Sequence, residues 1–140
     1  MKLFWNSIAT ALQADAPLLA LCGGDIKNIA RANSPLAEAN GVYFDDTDNL
    51  PLPGSDTAKI KTSMVALICV HEEIIVCADL ARRVEQLWEN ADEKLAFLDI
   101  TDNNILCNGS WLETSGSVRF DERLKRYRAT VEVVYVWSYK

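Results

Sequence analysis

The segment TSMVALICVHEEIIVCADLARRVEQLWENA, residues 62–91, constrains the fold more than any other part of the chain. Its first half is apolar on both alternating faces. Met64, Ala66, Ile68 and Val70 fall on one, and Val65, Leu67 and Cys69 on the other. Successive strand residues point to opposite sides of a sheet. A strand apolar on both sides is therefore a central one, covered by a helix on one face and by a second sheet or a neighbouring subunit on the other. In the second half the period changes to that of a helix. Cys77, Leu80, Ala81, Val84, Leu87, Trp88 and Ala91 share one face, and Asp79, Arg82, Arg83, Glu85, Gln86 and Glu89 take the other. This predicts an amphipathic helix over 76–91 lying on the sheet.

The flanking segments supply the remaining elements. Leu3, Phe4, Ile8, Ala11 and Leu12 repeat at helical spacing and predict a helix over 3–14, ended by Asp15 and Pro17. PLLAL reads as a second helical turn, stopped by Cys22-Gly23-Gly24. Gly41-Val42-Tyr43-Phe44 reads as a short strand. Residues 45–57, DDTDNLPLPGSDT, read as a flexible arm rich in aspartate and proline. FLDI, residues 97–100, reads as a short strand and TDNN as a turn. WLETSGSVRF and RYRATVEVVYVW, joined by DERLK, read as a long C-terminal hairpin. In its second arm Val131, Val133, Tyr135 and Trp137 point one way, and Thr130, Glu132, Val134 and Val136 the other. There is no internal repeat and no sign of a second domain, so residues 1–140 are read as one.

Composition narrows the function classes. A net charge of −6 over 140 residues argues against sequence-independent nucleic-acid binding, which needs cations to displace counterions from phosphate. The start, MKLFWNSIATALQADAP, has no continuous apolar core and does not read as an export signal. No stretch approaches the ~20 apolar residues of a membrane span. The cysteines, Cys22, Cys69, Cys77 and Cys107, form no C-x-x-C pair and read as reduced thiols in a cytosolic protein.

The stretch that most resembles chemistry is CVHEEIIVC, residues 69–77. Cys69 and His71 share a strand face, and Glu72 or Glu73 would add an oxygen to a metal site. A structural zinc needs four ligands and a catalytic one three, whereas this chain has one histidine and Cys77 lies on the helix's apolar face. Cys–His nucleophilic catalysis needs a thiolate within reach of an oriented imidazole, which same-face strand neighbours do not supply. The plainer reading makes Cys69 and Cys77 core, with Glu72 and Glu73 as solvated turn residues. Neither catalytic, cofactor-binding nor metal-ligating residues are expected. Cys22-Gly-Gly-Asp lacks the lysine of a phosphate loop, and Asp45, Asp46 and Asp48 lack the spacing of a calcium loop. Arg119, Arg123, Lys125, Arg126 and Arg128 form a basic cluster in an acidic chain. They are either a solvated tip paired with Asp121 and Glu122 or a surface for an acidic partner.

The order of these elements resembles the tail-terminator and tail-completion proteins of long-tailed bacteriophages and prophages. The resemblance rests on DAPLLALCGGDI, on SMVALICVHEEIIVCADLARRVEQLWEN, and on RFDERLKRYRATVEVVYVW. It covers most of the chain as a pattern, without an invariant catalytic signature, and residues 92–109 do not map onto it. The resemblance implies an α+β fold: a mixed or antiparallel sheet with an N-terminal helix and one central amphipathic helix packed on it, and a long C-terminal hairpin. It also implies a mechanical role without reaction or cofactor. The chain would form a homohexameric ring that caps the tail tube and joins it to the head connector. Its partners would be further copies of itself, the tail-tube protein and the connector. Membrane and specific nucleic acid are not among them, although DNA would pass through the ring. Its place would be the host cytoplasm during assembly and then the virion tail. Asp45, Asp46 and Asp48 on one side and Arg119, Arg123, Lys125, Arg126 and Arg128 on the other would be the subunit contacts, since opposite charges suit head-to-tail packing. Other readings of the pattern are a head–tail connector or adaptor, a tail-tube or secretion-tube subunit, a small Cys/His metal-binding protein or enzyme using Cys69, His71 and Glu72, and a small-molecule binding module.

Overall fold

The predicted central strand is β3, Ile60–His71, and it is hydrogen-bonded along both sides. The structure is a computed structural model that describes residues 2–32, 39–51, 60–89 and 105–139. Two helices open the chain, α1 (Lys2–Gln13) and α2 (Ala16–Leu21), followed by a 3-10 turn at Ile26–Asn28. The strands β1 (Ile29–Arg31), β2 (Gly41–Pro51) and β3 come next, then helix α3 (Ile74–Glu89). β4 (Ile105–Ser115), β5 (Arg119–Asp121) and β6 (Arg126–Tyr139) complete the described elements. The sheet order is β1-β2-β3-β6-β4, with β5 also on β6. Among the described residues only the β1–β2 pair is parallel, so the architecture is α+β with a mixed, mainly antiparallel sheet.

Alternation along β3 and β6 places the core. Cys69 stands opposite Ala129, Leu67 opposite Val131, Val65 opposite Val133 and Ser63 opposite Tyr135. These residues, with Val42 and Phe44 of β2, make one buried face. Ile8 and Leu12 of α1, Leu18 of α2, and Cys77, Leu80, Val84, Leu87 and Trp88 of α3 pack on it. The predicted helix stripe is thus the buried one. Polar atoms caught in this layer are paired. Trp137 donates to the Ser63 hydroxyl at 2.9 Å, and Trp88 donates to the Ser110 hydroxyl at 2.9 Å, which in turn donates to the Val134 carbonyl. The opposite face carries Met64, Ala66, Ile68, Val134 and Val136, and no described helix packs on it.

Asp15 does not simply end α1. Its carboxylate accepts the Leu18 N–H at 3.1 Å as the N-cap of α2 and takes two hydrogen bonds from Arg83 of α3, at 2.8 and 2.6 Å. One side chain therefore joins α2 to α3. Gly23 and Gly24, at φ 81° and 79°, then turn the chain out of α2 in the left-handed region that glycine allows. Gly41 opens β2 where a Cβ would fall on the Asn28 carbonyl oxygen.

Two expectations need correction, and one strand was not foreseen. The chain from Asp45 to Pro51 is not a loop, because β2 continues through it. Asp45 pairs with Ala66, Asp46 with Val65 and Asp48 with Met64, with a bulge between Asp46 and Asp48. The ladder to a well-formed β3 outweighs the weak strand propensity of Asp and Pro. β1 went unread because three residues carry no periodicity. The first hairpin arm is split into β4 and β5. The rest of the expected arm, residues 52–57, and the FLDI strand and TDNN turn lie outside the described residues.

Two substitutions test this packing. Val84→Asp puts a carboxylate against the sheet and should cost about 4 kcal/mol or more, read as loss of cooperative thermal unfolding. The Arg83 hydrogen bonds, aided by the Leu18 N–H and opposed by burial, hold Asp15 below its ordinary 3.8. A carboxylate whose pKa falls on folding stabilises fully above its unfolded pKa and loses that contribution as pH drops through the folded value. Asp15→Asn should therefore cost about 1–2 kcal/mol at neutral pH. The gap to wild type should narrow below about pH 4 in denaturant titrations.

Candidate functional site

In the CVHEEIIVC stretch the side chains close a strand-to-helix turn. Glu73 N–H donates to His71 Nδ1 at 2.9 Å, and Glu72 N–H donates to the Asn40 side-chain oxygen at 3.1 Å. Cys69 and Cys77 are buried, and the Cys77 thiol donates to the Cys69 carbonyl at 3.5 Å. Burial pushes the Cys69 and Cys77 thiols up and raises Cys22 to about 11. A nucleophile must be a thiolate, and burial disfavours that form at all three. Among the described residues no three His, Cys, Asp or Glu side chains are grouped to hold an ion.

The basic cluster lies on the hairpin formed by β5 and β6. Arg119 stands opposite Arg128, Phe120 opposite Tyr127 and Asp121 opposite Arg126. The Phe120 and Tyr127 rings meet edge to face at 5.2 Å and stiffen the pair. Asp121 organises the turn. Its Oδ1 accepts the N–H of Leu124 at 3.1 Å and of Arg123 at 2.9 Å, while Oδ2 lies 3.7 Å from Arg128. The Leu124 bond leads in holding its carboxyl below the usual range; the Arg123 N–H and the charges of Arg123 and Arg128 add to it, against the opposing effect of burial. Lys125 closes the turn at φ 55° and pairs with Glu122 at 3.2 Å.

The five basic residues therefore differ in what they do. Arg126 is half-buried and donates to Asn40 Oδ1 at 2.9 Å, the atom that also accepts from Glu72. It ties the hairpin to the β3–α3 turn and is structural. Lys125 and Arg128 have carboxylate neighbours. Arg123 is exposed. Arg119 is exposed and, among the described residues, its side chain has neither a hydrogen bond nor an ion pair. A cleft of about 540 Å³ opens here, lined by Arg119, Arg123 and Arg128, by the carboxylates Asp121 and Glu122, and by Phe120 and Thr130 among others.

The acidic residues lie elsewhere. Asp45 is exposed on β2; the side chains of Asp46 and Asp48 are outside the described residues. Asp48 is level with Met64 and the hairpin tip lies beyond His71. Seven residues of strand separate those levels, about 23 Å at the usual rise. The two charged groups are thus not brought together within one chain. The sequence reading missed the Arg126–Asn40 link, since nothing local marks two residues so far apart in the chain as partners. It also missed the turn-capping role of Asp121, for which an aspartate followed by a tight turn was a usable signal.

Arg126→Ala should lower stability by about 1–2 kcal/mol by removing one of the two hydrogen bonds that Asn40 Oδ1 accepts, whereas Arg123→Ala should stay within about 0.5 kcal/mol. Paired urea titrations measure both.

No family model matches this chain, and no curated protein matches it in sequence. Among solved structures, a chain from the virion of a native gene transfer agent particle is similar to it, with a TM-score of 0.59 and 20% identity. The likeness covers 94% of this chain and 91% of that one, and shows a shared fold.

Proposed function

We propose that this chain is a structural protein of a phage-like particle and acts as a tail terminator. It would be a non-enzymatic homo-oligomer, a ring at the end of the tail tube that joins tube to head connector. The observation that carries the reading is a fold likeness, over nearly the whole of both chains, to a chain of a gene transfer agent virion. The order of elements supports it independently through its resemblance to tail-terminator proteins. Separation of the acidic strand from the basic hairpin along the sheet also supports it. Opposite charges that cannot meet within a subunit are free to meet between subunits, and two different patches in contact generate rings when the rotation closes. Residues 1–140 as one α+β domain suffice for this role. The thiols and His71 serve packing and turn closure within it.

Light scattering with negative-stain imaging, alone and with preassembled tail tubes, tests the reading. Rings of about six subunits that seat on tube ends and stop their growth are expected. Open-ended polymers would assign the chain to the tube itself. Binding to the connector in preference to the tube would make it an adaptor. A monomer that ignores both would sink the proposal.

A further inference from the structure

The cleft beside Arg119 has features that the fold alone does not require. Arg119 and Arg128 face each other directly across β5 and β6. Like charges opposite one another disfavour a hairpin, and Asp121, 3.7 Å from Arg128 and committed to two backbone N–H groups, is already engaged. Among the described residues, Arg119 is left without an anion. Phe120, 48% exposed, lines the same cleft. Arginines flanked by an accessible aromatic ring are the residue types on which protein interfaces concentrate their binding energy.

We propose that this cleft receives a carboxylate from a second copy of the chain, contributed by the acidic stretch of β2 that begins at Asp45. The assignment rests on the ring proposed as the function and names its contact. A guanidinium binds a carboxylate through two parallel hydrogen bonds, and a carboxylate set between Arg119 and Arg128 relieves their repulsion. The donor follows from the topology. β1 stops at Arg31, opposite Phe44, so from Asp45 onward β2 has no strand on its outer side among the described residues. Asp45 is exposed at the point where that free edge begins. Asp45, level with Ala66, lies four residues along β3 from Val70, the level of Arg128, and on the far side of β3 from β6, so the edge and the cleft do not meet within one chain. A head-to-tail arrangement therefore satisfies both at every junction of a closed ring.

A charge-swap series tests the contact. Arg119→Glu, Asp45→Lys and the double variant are compared with wild type by sedimentation velocity at low and high salt. Both positions are exposed, so melting temperatures should stay close to wild type. Each single variant should weaken association about tenfold or more, and the double should recover to within about threefold, because complementary charge is restored. Association of wild type should fall with added salt. Single variants that associate like wild type, or a double variant worse than either, overturn the contact. In that case the aspartates only guard an open edge against mispairing. Wild-type rings with a silent swap series remove the contact and leave the ring standing. Wild type that neither forms rings nor caps tubes removes both. Where free wild type is monomeric yet caps tubes, the series is measured on tube ends: loss in the singles with recovery in the double supports the contact, and a silent series overturns it.

Discussion

The whole fold hangs on the two-sided hydrogen bonding of β3. All twelve of its residues pair with β6 on one side, and Lys61 to Val70 pair with β2 on the other. Because side chains alternate, this double ladder sorts three strands into the same two faces at once. A slip of one residue at either ladder would turn Val65, Leu67 and Cys69 away from α3 and expose the whole set. The apolar rows therefore specify the register, and the register in turn places Arg128 opposite Val70 and Asp45 opposite Ala66.

Two polar side chains stitch the layers together where hydrophobic packing alone would leave freedom. Asp15 caps α2 and grips Arg83, fixing the short helix against α3. Asn40 Oδ1 accepts from Glu72 and from Arg126, bringing the entrance of β2, the β3–α3 turn and the hairpin to one point. Both are charge-assisted or shared acceptors in partly buried places, where a hydrogen bond is harder for water to replace. The hairpin tip thus presents its exposed arginines from a fixed base.

The same organisation separates packing from recognition. Cys22, Cys69 and Cys77, which by type could do chemistry, are sunk in the core as thiols. Exposed charged groups include Arg119 and Arg123 at the hairpin and Asp45 on β2.

The residues themselves determined the local elements. The double-faced row from Met64 to Val70 specified a central strand, the stripe from Cys77 to Trp88 specified α3 and its buried side, and the alternation from Thr130 to Trp137 specified which face of β6 is core. These patterns are periodic and need no distant partner to be read. Tertiary structure alone decided the rest. Asp45 to Pro51 became strand because β3 offered it a ladder, against its own propensity. Asp15, read as a stop, became a joint because Arg83 lies beside it only after α3 has packed. The five basic residues looked alike in sequence. The fold gave Arg126 to Asn40, Lys125 to Glu122 and Arg128 to Asp121, and left Arg119 open. Charge is visible in a sequence, but whether a charge is already neutralised depends on neighbours far along the chain, and only the folded register brings those neighbours within reach.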